Sequence, residues 1–168
     1  MEQEVALGQP RTGPLTGVRV ADFSAIFSGP IAGAMLADQG ADVIKVEAFT
    51  GDLMRKGYPQ SGGMASAFTS MNRNKRGLSV NLQTPEGKAI ATKLIQSADV
   101  VLENFRPGVM DRLGLGYDVF KENHPKLVYA SINGVSLLGP MPIDAFTMQS
   151  FRPFQDLPRC VWMVSLRW

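Results

Sequence analysis

Residues 17–47 read GVRVADFSAIFSGPIAGAMLADQGADVIKVE, and this stretch decides the fold. An apolar, β-branched run from Val18 to Phe23 predicts a strand, which the Gly29-Pro30 turn interrupts. Apolar residues then recur at helical spacing, and a second strand pattern follows from Asp42 to Val46. Strand, turn, helix and strand within about thirty residues is the size of one βαβ unit. We therefore expect ligands to bind beyond the carboxyl ends of the strands.

The alternation of strands and helices continues along the chain. The hydroxyl of Thr84, followed by Pro85, is typical of a helix start. Further strands are predicted at Leu78–Leu82, Asp99–Glu103 and Leu127–Ile132, and short helices at Pro107–Leu113 and Tyr117–Asn123. This pattern predicts an α/β fold, a mostly parallel sheet with helices on both faces.

Composition excludes several classes of protein. A formal charge of +2 without long basic runs gives no footprint for nucleic acid. No apolar stretch approaches the roughly 18 residues that a membrane-spanning helix needs. The single cysteine, Cys160, rules out a disulfide within the chain and favours a reducing compartment. We expect a cytoplasmic protein that binds neither nucleic acid nor membrane.

The chain divides into three parts on composition. Residues 1–13 contain acids and no apolar core, which predicts a flexible leader and not a secretory signal. Residues 14–149 carry the strand and helix pattern and form one domain. Residues 150–168 hold the cysteine and both tryptophans and break that pattern, so we interpret them as a divergent tail.

Three segments carry candidate binding chemistry. Ala48–Met71 lacks a sustained period and predicts a long, functional loop. Asn72–Arg76 (NRNKR) gathers three cations, which suit phosphate oxygens or form a solvated turn. Glu103–Gly108 (ENFRPG) ends a strand in an amide, an aromatic ring and a guanidinium, which could stack a base and hold a phosphate.

Other motifs are weaker. The glycines after the first strand lack the G-x-G-x-x-G spacing of a dinucleotide site, although Glu47 lies where an acid would bind ribose, so NAD binding stays an alternative. His124 precedes a proline in a turn, which favours a cap or loop role over catalysis. No Cys/His spacing predicts a metal site, and no serine nucleophile elbow is present.

Four blocks together resemble the amino-terminal part of the class III CoA-transferases, the family of formyl-CoA transferase, carnitine CoA-transferase and α-methylacyl-CoA racemase. The blocks are LTGVRVADFSAIFSGPIAGAMLADQGADVIKVE, NRNKRGLSVNLQTPEGK, ADVVLENFRPGVMDRLGLGYD and PKLVYASINGV. The resemblance implies a Rossmann-like domain, coenzyme A thioester substrates with a carboxylic acid acceptor, and a homodimer of interlocked chains. It implies no metal.

The resemblance also places the contacts to CoA. Arg106 and Arg112 would address its phosphates, and the backbone from Val80 to Gln83 would hold its adenine end. The full set of implied contacts is Phe27, Ser28, Ala48, Val80, Asn81, Leu82, Gln83, Asn104, Phe105, Arg106, Arg112 and Asp144.

Two departures from the family pattern bear on chemistry. Phe27 stands where formyl-CoA transferases carry glutamine, which argues against oxalate as acceptor. Ile143 stands where the racemases carry a catalytic histidine, and an aliphatic side chain cannot move a proton.

The catalytic aspartate of the transferases, which forms a mixed anhydride with the acyl group, matches no residue of this sequence. We therefore expect the CoA-binding portion of a transferase, truncated or altered near Ser150. A non-catalytic CoA- or nucleotide-binding module is the alternative.

Overall fold

The computed structural model describes residues 11–57, 59–133 and the backbone of 163–167. The strands are β1 (Arg19–Asp22), β2 (Asp42–Glu47), β3 (Gln60–Ser61), β4 (Met64–Ala65), β5 (Arg76–Ser79), β6 (Val100–Glu103), β7 (Val128–Asn133) and β8 (Met163–Arg167). The α-helices are α1 (Ser28–Asp38), α2 (Ser66–Met71), α3 (Pro85–Gln96), α4 (Val109–Leu113) and α5 (Tyr117–Phe120), with a 3₁₀ helix at Leu53–Lys56.

The main sheet has the strand order β5-β2-β1-β6-β7-β8. All pairings from β5 to β7 are parallel, and β8 pairs antiparallel with β7. The chain moves outward from β1 to one side through β2 and β5, then crosses to β6 on the other side. The order of the strands therefore reverses between β1 and β6, and such a switch point opens a crevice at the carboxyl ends of the strands.

Two apolar clusters cover the two faces of the sheet. Helix α1 packs over the first face, where Ala37 meets Val20 and Val43. On the opposite face, α3 contributes Ala91 and Ile95 to a larger cluster that also contains residues of β6, β7 and the short helices. Successive residues of a strand point to opposite faces, so the central strands are apolar on both sides. The predicted α/β fold, with helices on both faces of a mostly parallel sheet, is confirmed.

The start of α3 shows why the local prediction succeeds. Thr84 has extended backbone, and its Oγ1 accepts a hydrogen bond from the Gly87 amide at 3.1 Å. Pro85 is the first helical residue, where its missing N–H removes no helical hydrogen bond. The predicted strand at Leu78–Leu82 begins earlier, at Arg76, and ends at Ser79, because pairing with β2 sets its limits.

The prediction of a long irregular loop at Ala48–Met71 is wrong. This segment contains the 3₁₀ helix, the β3–β4 hairpin and helix α2. These elements are only two to six residues long, too short for a hydrophobic period to appear in the sequence.

Strand β8 lies within the segment that we interpret as a divergent tail. Its register with β7 runs from Tyr129 opposite Arg167 to Asn133 opposite Met163. The direction is antiparallel, unlike that of the five strands before it in the sheet. The rest of residues 150–168 lies outside the described part of the chain, so the three-part division stays a prediction.

Ile95 and Ile90 offer a matched test of the core, because both lie on α3. Ile95 is fully buried in the larger cluster and Ile90 is 47% exposed. We expect Ile95→Ala to lower the free energy of unfolding by roughly 2–5 kcal/mol, since it leaves a cavity. Ile90→Ala should change it by less than about 1 kcal/mol. Equal losses in urea titrations of the two variants would contradict the packing of α3.

Candidate functional site

A cleft of about 350 Å³ opens at the carboxyl ends of the central strands. The turn after β1 forms one wall, and the end of β2 with the 3₁₀ helix forms another. The segment after β5 and residues that follow β6 complete it. Its lining includes Ser24, Ala25, Ile26, Lys45, Glu47, Ala48, Asp52, Val80, Asn81, Leu82, Gln83 and Phe105. This cleft lies beyond the carboxyl ends of the parallel strands, at the edge of the sheet where the sequence predicts ligand binding.

The turn that follows β1 is held in place by side chains from distant parts of the chain. Asn104, just after β6, bonds both backbone groups of Ala25: its Oδ1 accepts from the amide and its Nδ2 donates to the carbonyl, each at 2.8 Å. Asp22 accepts a hydrogen bond from the Ser24 amide at 2.9 Å. Asn104 therefore links the two strands that flank the switch point.

A buried ion pair joins the same turn to the 3₁₀ helix. Lys45 and Asp52 are almost fully buried, and the lysine Nζ lies 3.1 Å from the carboxylate Oδ2. Lys45 also donates to the Ser24 carbonyl at 2.8 Å. Asp52 accepts from the amides of Ile26 at 3.2 Å and of Met54 at 2.9 Å, so it caps the 3₁₀ helix as well.

The wall beyond β2 is fixed by a second, more exposed ion pair. Arg55 donates to both carboxylate oxygens of Glu47 at 2.7 Å, and its guanidinium lies 4.0 Å from the centre of the Phe68 ring. Burial raises the pKa of Glu47, but the hydrogen bonds from Arg55 and the Asp52 amide outweigh it and hold that pKa below the usual value. Glu47 therefore stays ionised and ties the segment after β2 to the sheet.

A smaller cavity of about 240 Å³ lies beyond the ends of β6 and β7. Glu103, Arg106, Asp111, Tyr117 and Ser131 are among its lining residues. Glu103 is buried and accepts a hydrogen bond from the Phe105 amide at 2.8 Å. Burial raises its pKa, only partly offset by hydrogen bonds from Ser131 and the Phe105 amide. Arg106 thus lines this second cavity, while its neighbour Phe105 lines the first.

The structure brings together many of the residues assigned to CoA by resemblance. Ala48, Val80, Asn81, Leu82, Gln83 and Phe105 all line the larger cleft. Asn104 holds its wall. Their contact with CoA stays a prediction.

The remaining assigned residues are more scattered. Phe27 immediately precedes α1 and is 37% exposed, and the Oγ of Ser28 accepts from Asn104 Nδ2 at 3.3 Å. Arg112 is an exposed residue of α4. Asp144 lies outside the described residues, as does Ile143.

Each cation of the basic cluster Asn72–Arg76 is paired with a carboxylate. Arg73 pairs with Asp38, and Arg76 donates to both oxygens of Asp42 at 2.9 and 2.6 Å. The side chain of Lys75 is buried, and its Nζ lies 2.8 Å from Asp22 Oδ2. These ion pairs do not favour the phosphate interpretation, which stays a prediction. The solvated-turn alternative fits the two arginines but not Lys75.

The structure also bears on the NAD alternative and on the predicted role of His124. Both oxygens of Glu47 are engaged by Arg55, so this acid does not present an open carboxylate to a ribose as the NAD alternative requires. His124 Nε2 donates to the Ala98 carbonyl at 2.8 Å, which fits the predicted loop role.

Within 11–57, 59–133 and 163–167, no three His, Cys, Asp or Glu side chains are placed to hold a metal ion. No helix in that part of the chain has the length and apolarity to cross a membrane.

Sequence reasoning missed Lys45, Asp52 and the conformation of Ile26. Ile26 has φ of 69°, a left-handed conformation that β-branched residues rarely adopt. Lysine within a strand and aspartate after it could have been noticed as an unusual polar pair. Nothing in the sequence indicates the backbone strain.

Glu103 makes stability depend on pH in a defined direction. A carboxyl whose pKa is higher in the folded chain stabilises the fold below its unfolded pKa, and this stabilisation is lost as pH rises through the folded value. Glu103→Gln keeps the neutral form at every pH. We expect the variant to match the parent in thermal midpoint near pH 4 and to exceed it near pH 8. The control is Glu122→Gln, because Glu122 is exposed. We expect this variant to have the same thermal midpoint as the parent at both pH values. A lower midpoint for Glu103→Gln at pH 8 would contradict the buried environment.

Comparison with known proteins places the chain in a family. A model described as CoA-transferase family III matches residues 15–142. The chain is 44% identical over 138 residues to an acyl-CoA transferase of Fusarium pseudograminearum, covering 76% of this chain and 30% of that relative. It is 45% identical over 124 residues to a formyl-CoA:oxalate CoA-transferase of Streptomyces avermitilis, covering 73% of this chain and 30% of that relative.

Solved structures agree. A CAIB/BAIF family protein from Brucella suis superposes with a TM-score of 0.73 at 40% identity, covering 77% of this chain and 36% of that one. A hypothetical protein from Mycobacterium tuberculosis superposes with a TM-score of 0.71 at 43% identity, covering 77% and 36%. The chain spans about 30% of the length of the two curated relatives named above. The predicted family is confirmed: this chain belongs to CoA-transferase family III.

Proposed function

We propose that this chain carries the CoA-binding part of a transferase that moves CoA from an acyl-CoA to a carboxylic acid. The observation that supports this most is the position of the larger cleft. The chain belongs to CoA-transferase family III, and its cleft at the switch point between β1 and β6 is open and mostly apolar.

The two ends of CoA would contact different parts of the carboxyl edge of the sheet. The larger cleft offers Val80, Leu82 and the ring of Phe105 to the flat, apolar adenine. Arg106 lines the smaller cavity and Arg112 is an exposed residue of α4, and their guanidinium groups would bind the phosphates. In this arrangement Phe105 would contact the base and its neighbour Arg106 would contact the phosphates.

For the acyl donor and acceptor, only the chemical class of each is proposed. One relative is named a formyl-CoA:oxalate CoA-transferase, and another, from Chloroflexus aurantiacus, is named the beta subunit of a succinyl-CoA–L-malate CoA-transferase. Both names contain a CoA thioester and a carboxylic acid. We propose these two classes of substrate here, with Phe27 disfavouring a small, polar acceptor such as oxalate.

A second candidate is a CoA-binding module without transfer activity, and one observation favours it. Asp52 is an aspartate of the larger cleft, but it is 6% exposed and paired with Lys45. A carboxylate held this way cannot reach a thioester carbon. We therefore assign no nucleophile among the described residues of the cleft, and transfer would need an aspartate from elsewhere.

Removal of the two arginines tests CoA binding. We expect Arg106→Ala and Arg112→Ala each to weaken CoA binding roughly tenfold, because each removes a charge-assisted contact with phosphate. Arg73→Ala is the control, since Arg73 is exposed and pairs with Asp38. Calorimetry with the 168-residue chain measures the three dissociation constants. No binding to the parent chain at millimolar CoA would contradict the proposal, as would equal affinity of all variants.

A transfer assay separates the two candidates. The purified 168-residue chain is incubated with succinyl-CoA and malate, and chromatography follows the new CoA ester. We expect CoA to bind but no ester to form. Formation of malyl-CoA would contradict the absence of a nucleophile and favour a complete transferase site.

Competition between ligands tests the NAD alternative. We expect NADH at tenfold excess to leave the calorimetric signal of CoA unchanged, because Glu47 is already paired with Arg55. Displacement of CoA by NADH would favour the dinucleotide interpretation.

A further inference from the structure

The turn Ser24–Ile26 contains a strained residue at the wall of the larger cleft. Ile26 has φ of 69°, and for L-residues this region brings Cβ close to the following carbonyl oxygen. A β-branched residue in this conformation persists only where its surroundings hold it, and such positions concentrate at binding sites. Ile26 lines the cleft directly.

Asp52 is the group that holds Ile26. The Ile26 amide donates to its carboxylate, at 3.2 Å from Oδ2 and 3.4 Å from Oδ1. Lys45 fixes the position of the carboxylate from the other side, at 3.1 Å, and reaches back to the Ser24 carbonyl at 2.8 Å. The pair therefore bridges both ends of the turn, and the turn cannot relax without breaking it.

The rest of the turn is fixed independently. Asn104 bonds the amide and carbonyl of Ala25, and Asp22 bonds the amide of Ser24. The amide of Ile26 is thus the point at which the turn depends on Asp52 alone among the described side chains. Without that acceptor, an isoleucine would leave the left-handed region and move the cleft wall.

We propose that Asp52 is a positioning residue for the CoA ligand: it holds Ile26 in a left-handed conformation that shapes the cleft before the ligand arrives. This inference rests on the proposed CoA binding. A wall arranged in advance lowers the ordering cost of binding, so its loss appears in affinity. Asp52 itself touches no ligand in this account.

The test compares Asp52→Asn with a variant that also carries Ile26→Gly. Glycine adopts positive φ without steric cost, so it keeps the conformation when the acceptor is weakened. We expect Asp52→Asn to weaken CoA binding roughly tenfold and the added Ile26→Gly to recover most of that loss. The single variant Ile26→Gly measures how much affinity for CoA changes when only the isoleucine side chain is removed. Asp38→Asn, at the far end of α1, is the matched control and should bind CoA like the parent.

Thermal unfolding separates positioning from a purely structural role. If Asp52→Asn lowers the thermal midpoint but binds CoA as the parent does, the inference is wrong. If Ile26→Gly raises the affinity for CoA in the Asp52→Asn chain no more than it does in the parent chain, the inference is also wrong. Where Asp52→Asn does not fold, Lys45→Met/Asp52→Leu replaces it, because removing both charges leaves no unpaired lysine.

Amide hydrogen exchange without ligand distinguishes a failure of the inference about Asp52 from a failure of the proposed function. We expect the Ile26 amide to be protected in the parent chain and to exchange at least tenfold faster in Asp52→Asn, while the Ala25 amide changes less. If the parent chain does not bind CoA, the proposed function fails and this exchange result alone decides the role of Asp52. Equal exchange of the Ile26 amide in both chains overturns the inference.

Discussion

Parallel strands that end at one edge leave backbone groups there without partners, and these groups must be satisfied inside the protein. In this chain the constraint applies to the turn after β1, at the switch point of the sheet. Side chains meet it: Asp22, Lys45, Asp52 and Asn104 bond the turn from three strands and a 3₁₀ helix. The shape of the larger cleft depends on this arrangement. Buried and half-buried side chains thus hold the backbone at this edge of the sheet.

The same arrangement explains how the charges of the chain are used. Lys75 pairs with Asp22 inside the protein. The exposed Arg73 and Arg76 of the same segment pair with Asp38, at the carboxyl end of α1, and Asp42, at the amino end of β2. Charge on these residues therefore stabilises the fold. Arg106 and Arg112 belong to a different group, because they follow β6 on the side of the carboxyl edge. Under the proposed function, position in the sheet, and not residue type, separates these structural cations from the two arginines that would bind CoA.

Much of the fold follows from the sequence because it is local. The period of apolar residues in residues 17–47 and the capping of α3 by Thr84 each involve neighbours in the chain. The carboxyl-edge position of the cleft follows from strand direction alone. The short elements between β2 and β5 were missed because a helix of six residues or a strand of two carries no period.

The interior of the site depends on partners far apart in the sequence. Asp22 and Lys75 are 53 residues apart, and Asn104 bonds Ala25 across 79 residues. A cluster such as NRNKR resembles a surface turn until the carboxylates that meet it are known. Ile26 is harder still, since its residue type disfavours the conformation that the fold imposes. Resemblance to the family supplied the ligand class, which composition and spacing left open between CoA and other nucleotides.

The central claim is that CoA binds at the carboxyl edge, across the larger cleft and the residues after β6. Backbone amide chemical shifts of the isotope-labelled 168-residue chain, recorded during a titration with CoA, test it most directly. The account predicts that the largest changes fall in Ser24–Ile26, Val80–Gln83 and Phe105–Gly108. Changes confined to the amino ends of the strands, around Arg19, Asp42 and Arg76, would contradict it.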